Sequence, residues 1–285
     1  MNLADFIRKN KIVLLDGAMG TELEKLGAKA GTSNLTDPDK VLQVHKSYAN
    51  CGCNVFITNT LTMNRVYAES HGLDVNIKDV NTAGVKLAKQ AAKGQYILGN
   101  LSSTGQMLEP YGTYKEEDFY KAFKEQADIL AESGVDGFII ETIFEIREGL
   151  CALKACKDAA DLPVLISFSF STLDGGGRTI MGNKAEDMAK AVVDTGGDAV
   201  GTNCGDLDPE EMAQIIANMA QVVQLPIIAE PNAGKPQLIA GKTTFNMDAD
   251  TFARGIKKCV EAGAKIIGGC CGTTPEHICK LKAEL

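Results

Sequence analysis

The sequence contains no tryptophan, only three histidines, and fewer positive than negative charges: 29 Lys and Arg against 37 Asp and Glu, a net charge of −8 at pH 7. It has no basic run, which argues against general nucleic-acid binding and against attraction to an anionic membrane surface. It also has no apolar run near the roughly 20 residues that a membrane-spanning helix needs. The composition therefore excludes nucleic acids and membranes as partners.

A secretory signal is also missing, because residues 1–10 carry charges where a signal peptide needs an apolar stretch. We therefore expect a cytoplasmic protein. In a reducing compartment most of the nine cysteines, an odd number, should be free thiols. Core packing is expected for the four in helical patterns, which are Cys151, Cys156, Cys259 and Cys279. Cys51 and Cys53 lie at the amino-terminal end of a predicted strand, where a structural role is expected.

Four segments repeat one pattern, in which a helix ends at a small residue and a short apolar strand follows. Apolar strands without polar alternation are typical of parallel strands buried on both faces. Further strands lie between these repeats. The sequence predicts eight strands, near 12–16, 54–58, 96–100, 136–141, 163–170, 198–203, 226–230 and 265–269.

Eight such units in a chain of 285 residues predict a (β/α)8 barrel, with residues 1–285 as a single domain. The alternative is a doubly wound open sheet, which more often has a glycine-rich dinucleotide fingerprint after its first strand. Here the first strand leads into Asp16-Gly17-Ala18-Met19-Gly20, whose glycines do not have that spacing. We therefore favour the barrel.

The active site of such a barrel lies at the carboxyl ends of its strands, and these ends are rich in polar residues. They are Asp16-Gly17, 58–60, Asn100, Glu141-Thr142, 167–171, Asn203-Cys204, Glu230-Pro231-Asn232 and Cys270-Cys271. The sixth and eighth strands contribute three thiols, Cys204, Cys270 and Cys271. Three thiolates suit a tetrahedral zinc ion with one position left for a substrate.

Neighbouring residues in a regular strand point to opposite faces, but a turn at Gly272 would let Cys270 and Cys271 reach the same ion. Incidental core packing or a strained disulfide remains the alternative for this pair. Three thiolates make zinc a poor electrophile, yet zinc lowers the pKa of a bound thiol and leaves its sulfur nucleophilic. The residue set therefore favours thiol alkylation over hydrolysis.

Six motifs lie at these strand ends: Asp16–Leu23, Thr58–Thr60, Glu141–Glu145, Gly201–Gly205, Glu230–Gly234 and Gly268–Ile278. Together they resemble the homocysteine S-methyltransferase family, and most of all the homocysteine-binding module of cobalamin-dependent methionine synthase. The resemblance implies a barrel in which Cys204, Cys270 and Cys271 hold a zinc ion. That ion would activate the thiol of homocysteine for attack on a methyl group.

The resemblance also implies the substrate contacts. The backbone N–H groups of Asp16, Gly17, Ala18, Met19 and Gly20 would receive the substrate carboxylate. Glu141 would bind the ammonium group, with Asp16 assisting. Asn203 and Asn232 match polar positions near the zinc, where they would act as supports.

Two departures bear on the substrates. The run Gly205–Asp208 differs from the Asn-Cys-Ala/Ser-Leu-Gly run of methionine synthases, so another thiol acceptor stays open. The sequence also shows no folate barrel and no corrinoid motif. We therefore expect either an excised module or a separate methyl donor, namely methylcobalamin or a methylated corrinoid protein that docks transiently.

Two other functions are compatible with the barrel but fit the sequence less well. S-methylmethionine and betaine are cationic donors that prefer an aromatic cage, and a chain with no Trp, six Tyr and ten Phe is poorly suited to build one. A zinc- or thiol-binding barrel without catalysis would not need the acids at the rim.

Overall fold

Eight parallel strands form a closed barrel in the computed structural model, which describes residues 1–284. The barrel strands are β1 (Val13–Leu14), β2 (Val55–Ile57), β3 (Tyr96–Ser102), β4 (Gly137–Ile143), β5 (Val164–Phe168), β6 (Ala199–Asn203), β7 (Ile227–Glu230) and β10 (Ala264–Ile267). Each pairs with its neighbours in chain order, and β10 pairs with β1. A parallel bridge between Leu15 and Val55 closes the barrel. The predicted (β/α)8 barrel is confirmed.

Helices follow the strands and cover the outside of the barrel. They are α1 (Leu3–Lys9), α2 (Gly20–Lys25), α3 (Ser33–Thr36), α4 (Pro38–Cys51), α5 (Arg65–Ser70), α6 (Ile77–Ala91), α7 (Glu116–Glu132), α8 (Ile146–Ala159), α9 (Ala185–Asp194), α10 (Pro209–Val222), α11 (Ala249–Glu261) and α12 (Pro275–Glu284). An antiparallel hairpin, β8 (Gln237–Ile239) and β9 (Lys242–Thr244), lies outside the barrel sheet between β7 and α11. No described helix is long and apolar enough to cross a membrane.

Successive side chains along each strand point alternately into the barrel and out toward the helices, so the apolar core has an inner and an outer part. Ile139 and Leu165 belong to a small buried cluster inside the barrel, whereas Ile140 and Ile166 belong to the larger layer under the helices. Helix α1 closes the amino-terminal end of the barrel, because its Leu3 and Ile7 join the inner cluster. The opposite end is left for polar residues.

The cysteines outside the predicted metal centre largely have the expected roles. Cys156 and Cys259 are fully buried among apolar side chains, and Cys151 is buried at the edge of the same layer. The expectation for Cys279 was wrong: it is exposed and forms a disulfide with Cys51, which ties α12 to α4. Cys53 is a buried free thiol.

Candidate active site

Three sulfur atoms meet at the carboxyl end of the barrel. The Sγ atoms of Cys204, Cys270 and Cys271 all lie within 4.8 Å of one another, and those of Cys204 and Cys271 are 3.9 Å apart. This is the one group of three or more potential metal-binding Cys, His, Asp or Glu side chains found in residues 1–284. The structure therefore brings together the three thiols that the sequence placed on two different strands.

Backbone geometry directs these thiols inward. Cys204 follows β6 in the left-handed conformation, with φ 54°, and its N–H donates to the carbonyl of Glu230 at 3.1 Å. The Cys270 N–H donates to the Pro231 carbonyl at 2.9 Å. Gly272 has φ 79°, so the turn expected there is present and both neighbouring cysteines face the same point.

The three thiols shift one another's pKa values in opposite directions. Hydrogen bonds from Cys270 and Cys271 hold the pKa of Cys204 well below its usual value of 9.0. The same hydrogen bonds, together with burial, raise the pKa of Cys270. The pKa of Cys271 rises to about 12, chiefly through its contact with Cys204. Cys204 is thus the first thiolate of the cluster.

The donor set fits a zinc ion. A tetrahedral site with Zn–S bonds of about 2.3 Å requires sulfurs about 3.8 Å apart, close to the 3.9 Å between Cys204 and Cys271. The buried Oδ1 of Asn232 has no hydrogen-bond partner among the described residues, while its Nδ2 donates to the Gly205 carbonyl at 2.9 Å. Asn232 therefore supports the loop that follows Cys204 and keeps its buried oxygen unpaired within the described part of the chain. Asn203 Nδ2 lies 3.7 Å from Cys270 Sγ, so this residue contacts a sulfur directly.

A cavity of about 200 Å³ opens beside the sulfurs. Most of the predicted site residues line it: Gly17, Ala18, Met19, Gly20, Glu141, Cys204, Cys270 and Cys271. Asp16, Asn203 and Asn232 do not line it and lie in the layer around it. Glu141 lines the same cavity as the three thiols, so a carboxylate and a thiol-rich centre face one space.

Three buried carboxyl groups lie near one another at this end of the barrel, those of Asp16, Glu141 and Glu230. Burial raises the pKa of Glu141 to about 7. Burial, with the nearby carboxylates, also raises the pKa values of Asp16 and Glu230. Both carboxylate oxygens of Glu230 lack a hydrogen-bond partner within residues 1–284. Glu141 is the acid that lines the cavity, and the lining contains no Lys or Arg, so Glu141 is suited to receive a cation.

Two features of the structure shape the turn at residues 16–20: close packing around Gly17 and the start of helix α2. A Cβ atom on Gly17 would lie 2.9 Å from the Tyr48 hydroxyl and from Thr273 Oγ1, so glycine is required by packing. The Ala18 N–H already donates to Thr273 Oγ1 at 3.0 Å. Helix α2 begins at Gly20 without a side-chain cap, and Gly20 and Thr21 of its first turn line the cavity.

Sequence reasoning placed three further residues at strand ends without assigning them a role. Glu230 is the third buried acid, and Asn100 and Thr142 line the cavity. The hydrogen bond from the Asn100 side chain opposes the rise in the Glu141 pKa. Their position at the carboxyl ends of β7, β3 and β4 was the only signal in the sequence.

Fold and site together define the class: a (β/α)8 barrel whose carboxyl-terminal mouth holds a three-thiol centre beside a buried acid. A family model described as homocysteine S-methyltransferase matches residues 13–285. The chain belongs to the homocysteine S-methyltransferase family, and it is an enzyme of that family.

Solved structures share the architecture. The chain is similar to the homocysteine methyltransferase MmuM from Escherichia coli. With its metallated form the identity is 23% and the TM-score 0.80, over 99% of both chains. With its apo form these values are 24% and 0.76, over 98% of both chains. The carboxyl transferase domain of Rhizobium etli pyruvate carboxylase matches at 13% identity and TM-score 0.56, over 94% of this chain and 41% of that chain. At these identities the likeness shows the barrel fold alone.

Proposed function

We propose that the protein transfers a methyl group to the thiol of homocysteine and so forms methionine, with zinc held by Cys204, Cys270 and Cys271. One observation carries this proposal: the three thiols and Glu141 line the same cavity of about 200 Å³. A thiol-binding centre and an ammonium-binding acid within one small space match the two ends of an amino acid that carries a thiol.

The roles of the chain follow from this placement. Glu141 accepts hydrogen bonds from the substrate ammonium group, and Asp16 assists. Backbone N–H groups of the turn at residues 16–20, whose members Gly17, Met19 and Gly20 line the cavity beside Glu141, receive the carboxylate. Asn203 and Asn232 hold the sulfur-rich centre through Cys270 and Gly205.

Zinc in this position would lower the pKa of the substrate thiol, so that it binds as a nucleophilic thiolate. The cavity residues keep the ammonium and carboxylate groups fixed, which leaves the sulfur facing the mouth. Transfer needs the methyl carbon within about 3–3.5 Å of that sulfur, in line with its leaving group. A sulfur–carbon bond forms as the bond between methyl and donor breaks, and its electron pair leaves with the donor.

For the donor we favour methylcobalamin or a methylated corrinoid protein, as in the homocysteine module of cobalamin-dependent methionine synthase. None of the residues that line the cavity is aromatic, so the cavity offers no cage for a sulfonium or quaternary ammonium donor. A cavity of about 200 Å³ is also small beside the 300–1,000 Å³ of typical ligand pockets. The donor therefore approaches from outside, across the mouth.

Exposed apolar side chains in the segments that follow the barrel strands are an argument for a large donor that contacts this end of the barrel. Six of the exposed large hydrophobic residues belong to loops that follow β3, β5 and β7. They are Met107, Tyr111, Ile180, Met181, Leu238 and Ile239. Apolar side chains concentrated on one face are typical of surfaces that contact other molecules. A transient contact of modest area is sufficient for this transfer.

A methyl-transfer assay with homocysteine and a set of donors tests the proposal. We expect methylcobalamin to lose its methyl group, with equimolar methionine formed, and S-methylmethionine and betaine to react far more slowly. The Cys270→Ser variant serves as the control without a complete metal centre. Efficient use of either small cationic donor, with methylcobalamin inert, would replace the corrinoid assignment. Methylation of another thiol in preference to homocysteine would replace the acceptor.

A further inference from the structure

Strand β4 contains an irregularity at the cavity wall. Between the pairs Ile140–Ile166 and Ile143–Phe168, β4 advances by three residues while β5 advances by two. Such a bulge re-aims side chains, and bulges are common beside active sites. Ile140 and Ile143 both belong to the outer apolar layer, whereas the two residues between them, Glu141 and Thr142, both line the cavity.

Thr142 adopts an unfavourable backbone conformation in this bulge. Its φ is 60°, a left-handed value that glycine adopts freely and a β-branched residue rarely does. Such residues persist where their surroundings hold them in place, and they concentrate at functional sites. A contact that fixes Thr142 is therefore expected, and the structure contains one.

Asn203 holds Thr142 by two hydrogen bonds. The Thr142 N–H donates to Asn203 Oδ1 at 2.8 Å, and Asn203 Nδ2 donates to Thr142 Oγ1 at 2.8 Å. Asn203 also accepts from Ser167 Oγ at 2.7 Å and reaches Cys270 Sγ at 3.7 Å through Nδ2. These contacts use two acceptor and two donor positions, the full capacity of an asparagine side chain.

One amide group thus joins the strand end that carries Glu141 to the loop that carries Cys270. Glu141, which would bind the substrate ammonium under the proposed function, and Cys270, which would bind the metal, are held relative to each other through Thr142 and Asn203. The separation of these two groups decides how long a chain fits between ammonium and sulfur.

We propose that Thr142 is a positioning residue that fixes this separation, and that it thereby selects an acceptor of homocysteine length over cysteine, which is one methylene shorter. This inference rests on the proposed function. Its central prediction is that the preference depends on the Thr142 hydroxyl group and not on the metal content.

Three variants distinguish the effect of the Thr142 hydroxyl group from the effect of its backbone conformation. Thr142→Val keeps the shape and removes the hydroxyl; Thr142→Ser keeps the hydroxyl. Thr142→Gly accepts the left-handed backbone without strain and lacks the hydroxyl, so it tests the same contact should the valine variant fail to fold. Dissociation constants of homocysteine and cysteine are measured by calorimetry on the zinc-loaded proteins, alongside zinc content, KM and kcat.

We expect the homocysteine dissociation constant and KM to rise about tenfold in the Val and Gly variants, equivalent to about 1.4 kcal/mol. Cysteine binding should change less than twofold, kcat should change little, and zinc content should stay at the wild-type level. Thr142→Ser should restore the preference. An unchanged preference in both hydroxyl-free variants, or a loss of zinc together with stability, would overturn the proposal.

The two proposals fail in different ways. If the wild type forms no methionine with any donor, the proposed function is wrong, and the binding measurements still decide whether Thr142 sets chain-length preference. If the wild type is active but binds homocysteine and cysteine equally, the positioning role is wrong and the function stands.

Discussion

Replacing Glu141 by glutamine removes one negative charge from the cavity and keeps the shape of the side chain. Glu141 is 7% exposed, and burial raises its pKa from 4.5 to about 7. This change corresponds to about 3 kcal/mol that disfavours the carboxylate in the empty cavity. A bound ammonium group reverses that penalty, because it supplies the opposite charge that the cavity lining lacks.

The magnitude follows from the type of contact. A hydrogen bond to a charged group contributes about 1.5–3 kcal/mol, so Glu141→Gln should raise the KM of homocysteine about tenfold or more, while zinc stays bound. The matched control is 4-mercaptobutanoate, which keeps the thiol and the carboxylate but lacks the amine. Its KM should be the same in wild type and variant.

The pH dependence gives a second, independent measure. With a pKa of about 7, roughly nine in ten Glu141 side chains are ionised at pH 8 and about one in ten at pH 6. The ratio of kcat/KM for homocysteine over 4-mercaptobutanoate should therefore fall about tenfold from pH 8 to pH 6 in the wild type and stay level in Glu141→Gln. Thiol ionisation affects both acceptors and cancels in the ratio. Equal ratios in the two proteins at every pH would refute the assigned role of Glu141.

Three further predictions concern the metal, the buried acids and the glycine turn. Cys270→Ser should lose most of its zinc by elemental analysis, whereas Cys151→Ser, outside the cavity, should keep it; full retention in the first variant would reject the metal assignment. The folded-state pKa of Glu230 lies above its ordinary value of 4.5, so its contribution to stability is present at low pH and is lost as pH rises through that raised pKa. The melting temperature of Glu230→Gln, measured without substrate, should therefore fall less between pH 5 and pH 8 than that of the wild type, and parallel curves would contradict this. Gly17→Ala places a methyl group 2.9 Å from the Tyr48 hydroxyl, and overpacking of about 1–3 kcal/mol should lower the melting temperature; an unchanged melting temperature would show that Tyr48 moves freely.

The barrel was predictable because each strand is an apolar run buried on both faces. The predicted strand near 136–141 is Gly137–Ile143, and that near 226–230 is Ile227–Glu230. The three thiols and Glu141 were predictable for a related reason, since the carboxyl ends of parallel strands meet at one rim. The roles proposed for these residues remain predictions that the experiments above address.

Other features depend on contacts that residue order does not encode. The bulge at Thr142 exists because Asn203, 61 residues away, holds it. The Cys51–Cys279 disulfide joins residues separated by 228 positions, and no spacing rule pairs them. The β8–β9 hairpin is short and mostly exposed, so it lacks the buried apolar run that revealed the barrel strands. Gly17 packs against Tyr48 and Thr273, two residues that lie far from it along the chain.

Helix α1 closes the amino-terminal end of the barrel with Leu3 and Ile7. Small molecules therefore reach the site from the carboxyl-terminal mouth. Under the proposed function, homocysteine would enter through the same opening at which the donor must arrive, so the order of events would be restricted. An acceptor has to be in place before a large donor covers the mouth, and methionine departs only after the spent donor has gone. For a corrinoid protein in large excess, rebinding before product escape would slow turnover, and the rate would pass through a maximum as donor concentration rises.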